Sequence, residues 1–145
     1  MNKYLKIFLI VAIVGIIAGG GAVYYIFNMP ARDVENEKPA FTLSAESLYN
    51  DFNSNEEAAN LKYGNQVLQV SGSVVEKSIE NYQVSITLND EMEGINCALD
   101  STTYVNHKEL IDQLSSGENI TLKGKCDGFD MIMGVVLTRC FIIED

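Results

Sequence analysis

The chain has 145 residues, 47% of them apolar, three cysteines and a formal charge of −10. That length admits one small domain with a short extension. The acidic balance disfavours a phosphate backbone as partner, and three cysteines in separate strands with a single histidine and no CxxC lack the close ligand pairs of a closed zinc site.

From Ile7 to Phe27 the sequence carries no charge. As a helix at about 1.5 Å per residue this run spans the roughly 30 Å hydrocarbon core of a bilayer. Residues 1–6, with Lys3 and Lys6, then form a cytoplasmic flank and residues 7–27 a transmembrane anchor. The excess of Lys/Arg on the cytoplasmic side predicts a single-pass protein with its N-terminus inside and its domain outside the cytoplasm. The alternative is a cleaved signal peptide, processed after Ala22, with secretion of the remainder. Val23 to Phe27 extend the apolar run past that point, and Tyr24 and Tyr25 read as interfacial aromatics, which favours the anchor. No cysteine lies near this segment to carry a lipid.

Residues 28–40 hold both prolines and alternating charges, a linker composition. The domain is then 41–145. Lys3 and Lys6 are the only charges before Ala31, so the rest of the chain carries 8 Lys/Arg against 20 Asp/Glu, a formal −12. This reads as a well-solvated face.

Within the domain, Ser44 is placed to cap a helix bearing Leu48 and Phe52 on one face. Ser54 with Glu57 forms a capping box for a second helix carrying Ala58 and Leu61, closed by Gly64. The hydrophobic period then drops to two. Val67–Val70 begin a strand that Gly72 is expected to bend or bulge. Tyr82, Val84, Ile86 and Leu88 mark a second strand with one wet face, and Ile95, Cys97 and Leu99 a third. Asn106 with Glu109 predicts a helix burying Leu110, Ile111 and Leu114, with Val105 stapled onto Leu110 and Gly117 as its stop. Ile120 and Leu122, then Val135, Leu137, Phe141 and Ile143, give two final strands joined as a hairpin.

Helix, three strands, helix, two strands is the layout of a five-stranded OB barrel, a mainly β fold, here preceded by a transmembrane helix. A mixed sheet packed on two helices is the alternative. The segments NEEAANLKYGNQVLQVSGSV, GINCALD and TLKGKCDGFDMIMGVVLTRC resemble the bacterial OB-fold family labelled tRNA-anti-like, small envelope-anchored proteins of mostly unknown role. The resemblance spans Thr42 to Ile143 and implies an OB barrel behind a membrane or lipid anchor.

A hairpin centred on Met133 sets Cys126 opposite Cys140, seven residues away on either side. Facing cysteines on paired strands meet the Cα separation of a disulfide, and an oxidising compartment favours closure. Such a staple is worth about 3 kcal/mol in the chain-entropy model. Cys97 alternates with Ile95 and Leu99 as a buried apolar residue. His107 falls on a first helical turn, solvated. The carboxylates Asp90, Glu91 and Glu93, and Asp127 and Asp130, lie in turns where acidic residues are ordinary. No catalytic motif appears, so no enzymatic activity, metal or cofactor is expected. Tyr82, Tyr104 and Phe129 are candidate ligand-face aromatics, but the basic residues are scattered rather than grouped into a groove for single strands. The expected function is a membrane-anchored binding module for a protein, peptide or glycan; the alternative is a nucleic-acid-binding OB domain.

Overall fold

The computed structural model describes residues 2–30, 32–92 and 94–144, and the chain divides into two units, Met1–Arg32 and Asp33–Asp145. The first is one helix, α1 (Lys3–Phe27), with no buried residue, running unbroken through Gly19–Gly21. A helix of 25 residues without a charge beyond Lys6 is long and apolar enough to cross a membrane.

The second unit begins earlier than its composition suggests. Asp33 turns the chain by accepting from Asn36 N at 3.2 Å and Asn36 Nδ2 at 2.8 Å, which holds its carboxyl below the usual range. Val34 is buried, Lys123 Nζ donates to the carbonyls of Glu35 and Glu37, and Ala40 N donates to Val67 O at 2.7 Å. Residues 33–40, the larger part of the expected linker 28–40, are therefore packed onto the domain, because one apolar side chain and two carbonyls find partners there.

Next come β1 (Phe41–Ser44), α2 (Ala45–Ser54), α3 (Glu56–Tyr63), β2 (Val67–Glu80), β3 (Gln83–Leu88), β4 (Ile95–Leu99), α4 (Ser101–Asn106), α5 (Lys108–Gln113), β5 (Asn119–Asp130) and β6 (Gly134–Ile143). The sheet order is β1-β2-β3-β4-β6-β5, and β2 also pairs with β5, closing five strands into a barrel with β1 appended parallel to β2. Closure selects the OB barrel over the open mixed sheet. β2 achieves it by pairing its first half with β5 and its second with β3. The irregularity in β2 falls between Val74 and Glu76, not at Gly72. Gly72 instead makes room for α2: an added Cβ would lie 2.9 Å from Ala45 Cβ and 3.3 Å from Leu88 Cβ.

Ser44 caps α2 as expected, through Oγ accepting from Ser47 N. The start of α3 is set by Asn55 rather than Ser54, its Oδ1 accepting from Ala58 N at 3.0 Å. The buried face is accordingly Ala59 and Tyr63, while Leu61 is 83% exposed. Tyr63 Oη donates to Asp51 Oδ2 at 2.5 Å and ties α3 to α2.

Between β4 and β5 the expected single helix is two. Asp100 caps α4 through Thr103 N, the helix breaks at His107, and α5 has no side-chain cap, so the Asn106–Glu109 pairing is absent. Ile111 and Leu114 face the core, whereas Val105 and Leu110 are exposed and form no buried staple. Lys77 Nζ donates to the carbonyls of Ile111, Asp112 and Leu114 at 2.8, 3.0 and 2.9 Å, supplying the cation that a helix C-terminus favours.

β6 departs most from its sequence pattern. Val135 and Leu137 point inward, but so do Cys140 and Ile142, while Phe141 and Ile143 are only half-buried. The cause is a bulge: Lys125 pairs with Thr138 and Lys123 with Phe141, so Arg139 and Cys140 together face Gly124, with Arg139 at φ +52°. One extra residue shifts every later side chain to the other face.

Candidate functional site

One side of the barrel carries a shallow cleft of about 370 Å³ between the end of β2, β3, β4 and Arg139 of β6. Its floor is Val84, Ala98 and Leu99; polar side chains converge from Ser78, Gln83 and Ser85, and its charges are Glu80, Asp100 and Arg139. Asp100 is committed to the α4 cap, and Ser85 Oγ donates to Asn96 Oδ1 at 3.3 Å.

Two strained residues border this region. Tyr82 closes the β2–β3 hairpin with Asn81, at φ +65° and +50°, the left-handed pair that a two-residue hairpin demands but that a bulky side chain rarely adopts. Its ring is 62% exposed, lines a second depression with Ser101, Thr102 and Val105, and lies 6.1 Å from the Tyr104 ring. Arg139 owes its backbone to the bulge. Non-glycine residues in this conformation gather where ligands are held.

Of the sequence-predicted aromatics, Tyr82 and Tyr104 are brought together and Phe129 is not. Tyr104 is buried, donating to Asp112 Oδ1 at 3.0 Å, and so is a support for Tyr82 rather than a stacking surface. Phe129 packs half-buried against the core opposite Val135, near the β5–β6 turn. Arg139 went unnoticed as a site residue because its place in the cleft depends on a bulge; the alternation break between Leu137 and Cys140 is the signal that marks it.

The hairpin holding two cysteines is centred on Ile132, with Asp130 opposite Gly134, not on Met133. A second bulge at Asp127 sets Cys126 opposite Leu137, and Cys140 lies over Gly124, whose ideal Cβ would be 2.5 Å from Cys140 Sγ. The facing pair expected of a Cys126–Cys140 staple is thus not formed, and all three thiols are free and buried. Burial pushes the Cys126 thiol up to about 11. It raises Cys140 well above the ordinary range, with the neighbouring Cys97 thiol adding to the effect. Protonated, inaccessible thiols are poor nucleophiles.

Asp90 and Asp130 serve their own turns, whereas Asp127, expected in a turn, lies at the bulge within β5. Asp90 Oδ1 accepts from Met92 N, and Asp130 Oδ1 from Ile132 N and Met133 N. For Asp127, burial pushes its carboxyl upward, but Lys125 Nζ at 2.7 Å and Thr138 Oγ1 at 2.7 Å outweigh it and hold the group below its usual range. Glu93 lies outside the described residues. His107 sits at the α4–α5 break, Nδ1 3.4 Å from Glu144 Oε1. Among the described residues no three His, Cys, Asp or Glu side chains converge on a metal-sized site.

The sequence model of the tRNA_anti-like family matches residues 1–142. No curated protein matches the chain. Among solved structures, a candidate nucleic-acid-binding lipoprotein from Klebsiella pneumoniae superposes with a TM-score of 0.56 at 15% identity, over 80% of this chain and 100% of that one. The Stn1–Ten1 complex of S. pombe gives 0.41 at 14% identity over 55% and 59% of the two chains. At 15% identity the likeness to the Klebsiella protein is one of fold alone.

Proposed function

Because the chain belongs to the tRNA_anti-like family of OB-fold proteins, we propose that it is a membrane-anchored binding module, held outside the cytoplasm by α1, whose cleft beside Arg139 takes a protein, peptide or glycan. The observation that carries this is the composition of the cleft. One guanidinium stands there with two carboxylates, on a domain whose residues 33–145 hold 7 Lys/Arg against 20 Asp/Glu, a formal −13, whereas an OB groove for single strands tracks the backbone with grouped cations. The polar lining and the exposed Tyr82 suit hydrogen bonding to amides or hydroxyls beside a flat apolar surface. Binding, with no chemistry at the site, accords with buried, protonated thiols and carboxylates committed to turns.

Nucleic-acid binding is the second reading, favoured by the description of the Klebsiella lipoprotein. Fluorescence anisotropy of the full chain in detergent with mixed-sequence single-stranded DNA and RNA separates the two. No saturable binding is expected at about 0.15 M salt; micromolar binding that weakens steeply with salt would overturn the proposal. Localisation is checked separately: protease applied to spheroplasts should remove a C-terminal tag and leave α1 in the membrane, while a mature N-terminus at Val23 would mean secretion instead.

A further inference from the structure

At the end of the barrel away from the β2–β3 hairpin, two loops project large apolar side chains into solvent. Met131, Ile132 and Met133 at the β5–β6 turn are 95%, 86% and 49% exposed, and Met92 in the β3–β4 loop is 82% exposed. Three consecutive exposed apolar residues at a turn are a liability unless they serve contact. These are held, not frayed. Asp130 Oδ1 accepts from Ile132 N at 2.8 Å and Met133 N at 3.0 Å, and Asp90 Oδ1 from Met92 N at 2.9 Å, so each loop is braced by its own aspartate. The two are also fastened to each other. Val135 N donates to Gly94 O at 3.3 Å, and Gly134, at φ +74°, approaches so closely that a Cβ there would lie 2.4 Å from Gly94 O.

The chain joins the barrel at this same end. Ala40 N bonds to Val67 O, β1 starts with Phe41 opposite Leu68, and Val67 pairs with Lys125, from which β5 runs to the tip. From Asn28, the cap of α1, to Asp33, where the domain begins, an extended chain reaches at most about 17 Å. A domain tethered so closely to a bilayer meets it at high effective concentration, and a weak apolar contact is then enough. Residues 127–134 and 89–92 contain no Lys or Arg but hold Asp90, Glu91, Asp127 and Asp130, so attraction to anionic headgroups is absent and insertion rests on apolar area, with these carboxylates kept at the water side.

We propose that the paired Met92 and Met131–Met133 tips dock into the lipid surface of the membrane that carries α1 and so fix how the barrel stands on it. This rests on α1 being retained as an anchor. The test uses the full chain in phosphatidylcholine vesicles, labelled with an environment-sensitive fluorophore at Ile132→Cys or, as control, at Glu109→Cys on α5; the native thiols are buried. Flotation with the vesicles reports the anchor; the fluorophore reports the tip. Expected are a blue-shifted emission at 132 and quenching by nitroxide-bearing lipids several-fold stronger than at 109, unchanged between 0.1 and about 1 M salt. A chain that floats but shows equal quenching at both positions overturns the docking alone. A blue shift without nitroxide quenching assigns the tip to a protein contact and overturns the lipid assignment. A chain that does not float removes the anchor and the docking together.

Discussion

At the scale of single residues, Gly124 and Cys140 show how a barrel accommodates a bulge. The extra residue Arg139 turns Cys140 inward, where its Sγ takes the place that a side chain at 124 would occupy. Gly124→Ala should therefore destabilise the full chain by about 1–3 kcal/mol, the ordinary cost of overfilling a packed core. Cys140→Ala alone leaves a small cavity and costs about 1–2 kcal/mol. Together they should cost less than their sum by about 1 kcal/mol or more, because the smaller side chain at 140 admits the new Cβ. Recovery is partial, since Thr138 O would still lie 3.2 Å from that Cβ. Urea titration of the four chains measures the coupling; strict additivity would mean that the thiol and the missing side chain do not share this space. The same register has a covalent corollary: without a facing Cys126 and Cys140, peptide mapping under non-reducing conditions should find no bridge between them.

At the scale of elements, alternation was legible in the sequence as far as each bulge, as at Leu68 and Val70 in β2 and Ile120 and Leu122 in β5, and lost its register beyond it. Val84, Ile86 and Leu88 in β3, and Ile95, Cys97 and Leu99 in β4, are buried as their spacing dictates. In β6 the pattern held only to Leu137, since the left-handed Arg139 shows in the sequence only as a break in alternation between Leu137 and Cys140. β1 escaped notice because four residues carry little periodicity, and its parallel pairing with β2 is decided by tertiary packing. α4 escaped because Ser101, Thr102, Thr103 and Val105 are weak helix formers; its stability comes from the Asp100 cap and from Tyr104. Tyr104 leads to an electrostatic consequence. Asp112 on α5 accepts from Lys108 Nζ on its own helix and from Tyr104 Oη on α4, and these two donors hold its carboxyl below the ordinary 3.8. A carboxyl depressed in the folded state stabilises the fold above its unfolded value and loses that contribution as pH falls through the folded one. Stability should therefore decline below about pH 4. Asp112→Asn should be less stable than the parent at pH 6, with the difference shrinking by pH 3, and urea midpoints across that interval give the comparison. A gap that stays constant with pH would mean that the carboxylate charge is not what joins α4 to α5.

At the scale of the whole molecule, the domain boundary decides what the tether can do. Composition placed the start of the domain at Phe41, and the tRNA_anti-like barrel does close from there on, but the chain is already packed from Asp33. Val34 is buried, and the Glu35 and Glu37 carbonyls accept from Lys123 on β5, a strand whose pairing with β2 closes the barrel. Burying one valine is worth about 1.5–3 kcal/mol, and Lys123 loses two acceptors if the segment is removed. A fragment of residues 33–145 should unfold cooperatively, whereas one of residues 41–145 should be less stable by about 2–4 kcal/mol, from the lost valine burial plus the unmade charged hydrogen bonds. Val34→Ser in the longer fragment should reproduce most of that loss without shortening the chain, which separates packing from a mere end effect. Denaturant titrations of the three fragments at matched pH and salt provide the comparison. Equal stability of the two parents would return residues 33–40 to a free linker, lengthening the reach between helix and barrel to about 40 Å and removing the close tether on which docking of the apolar tip depends.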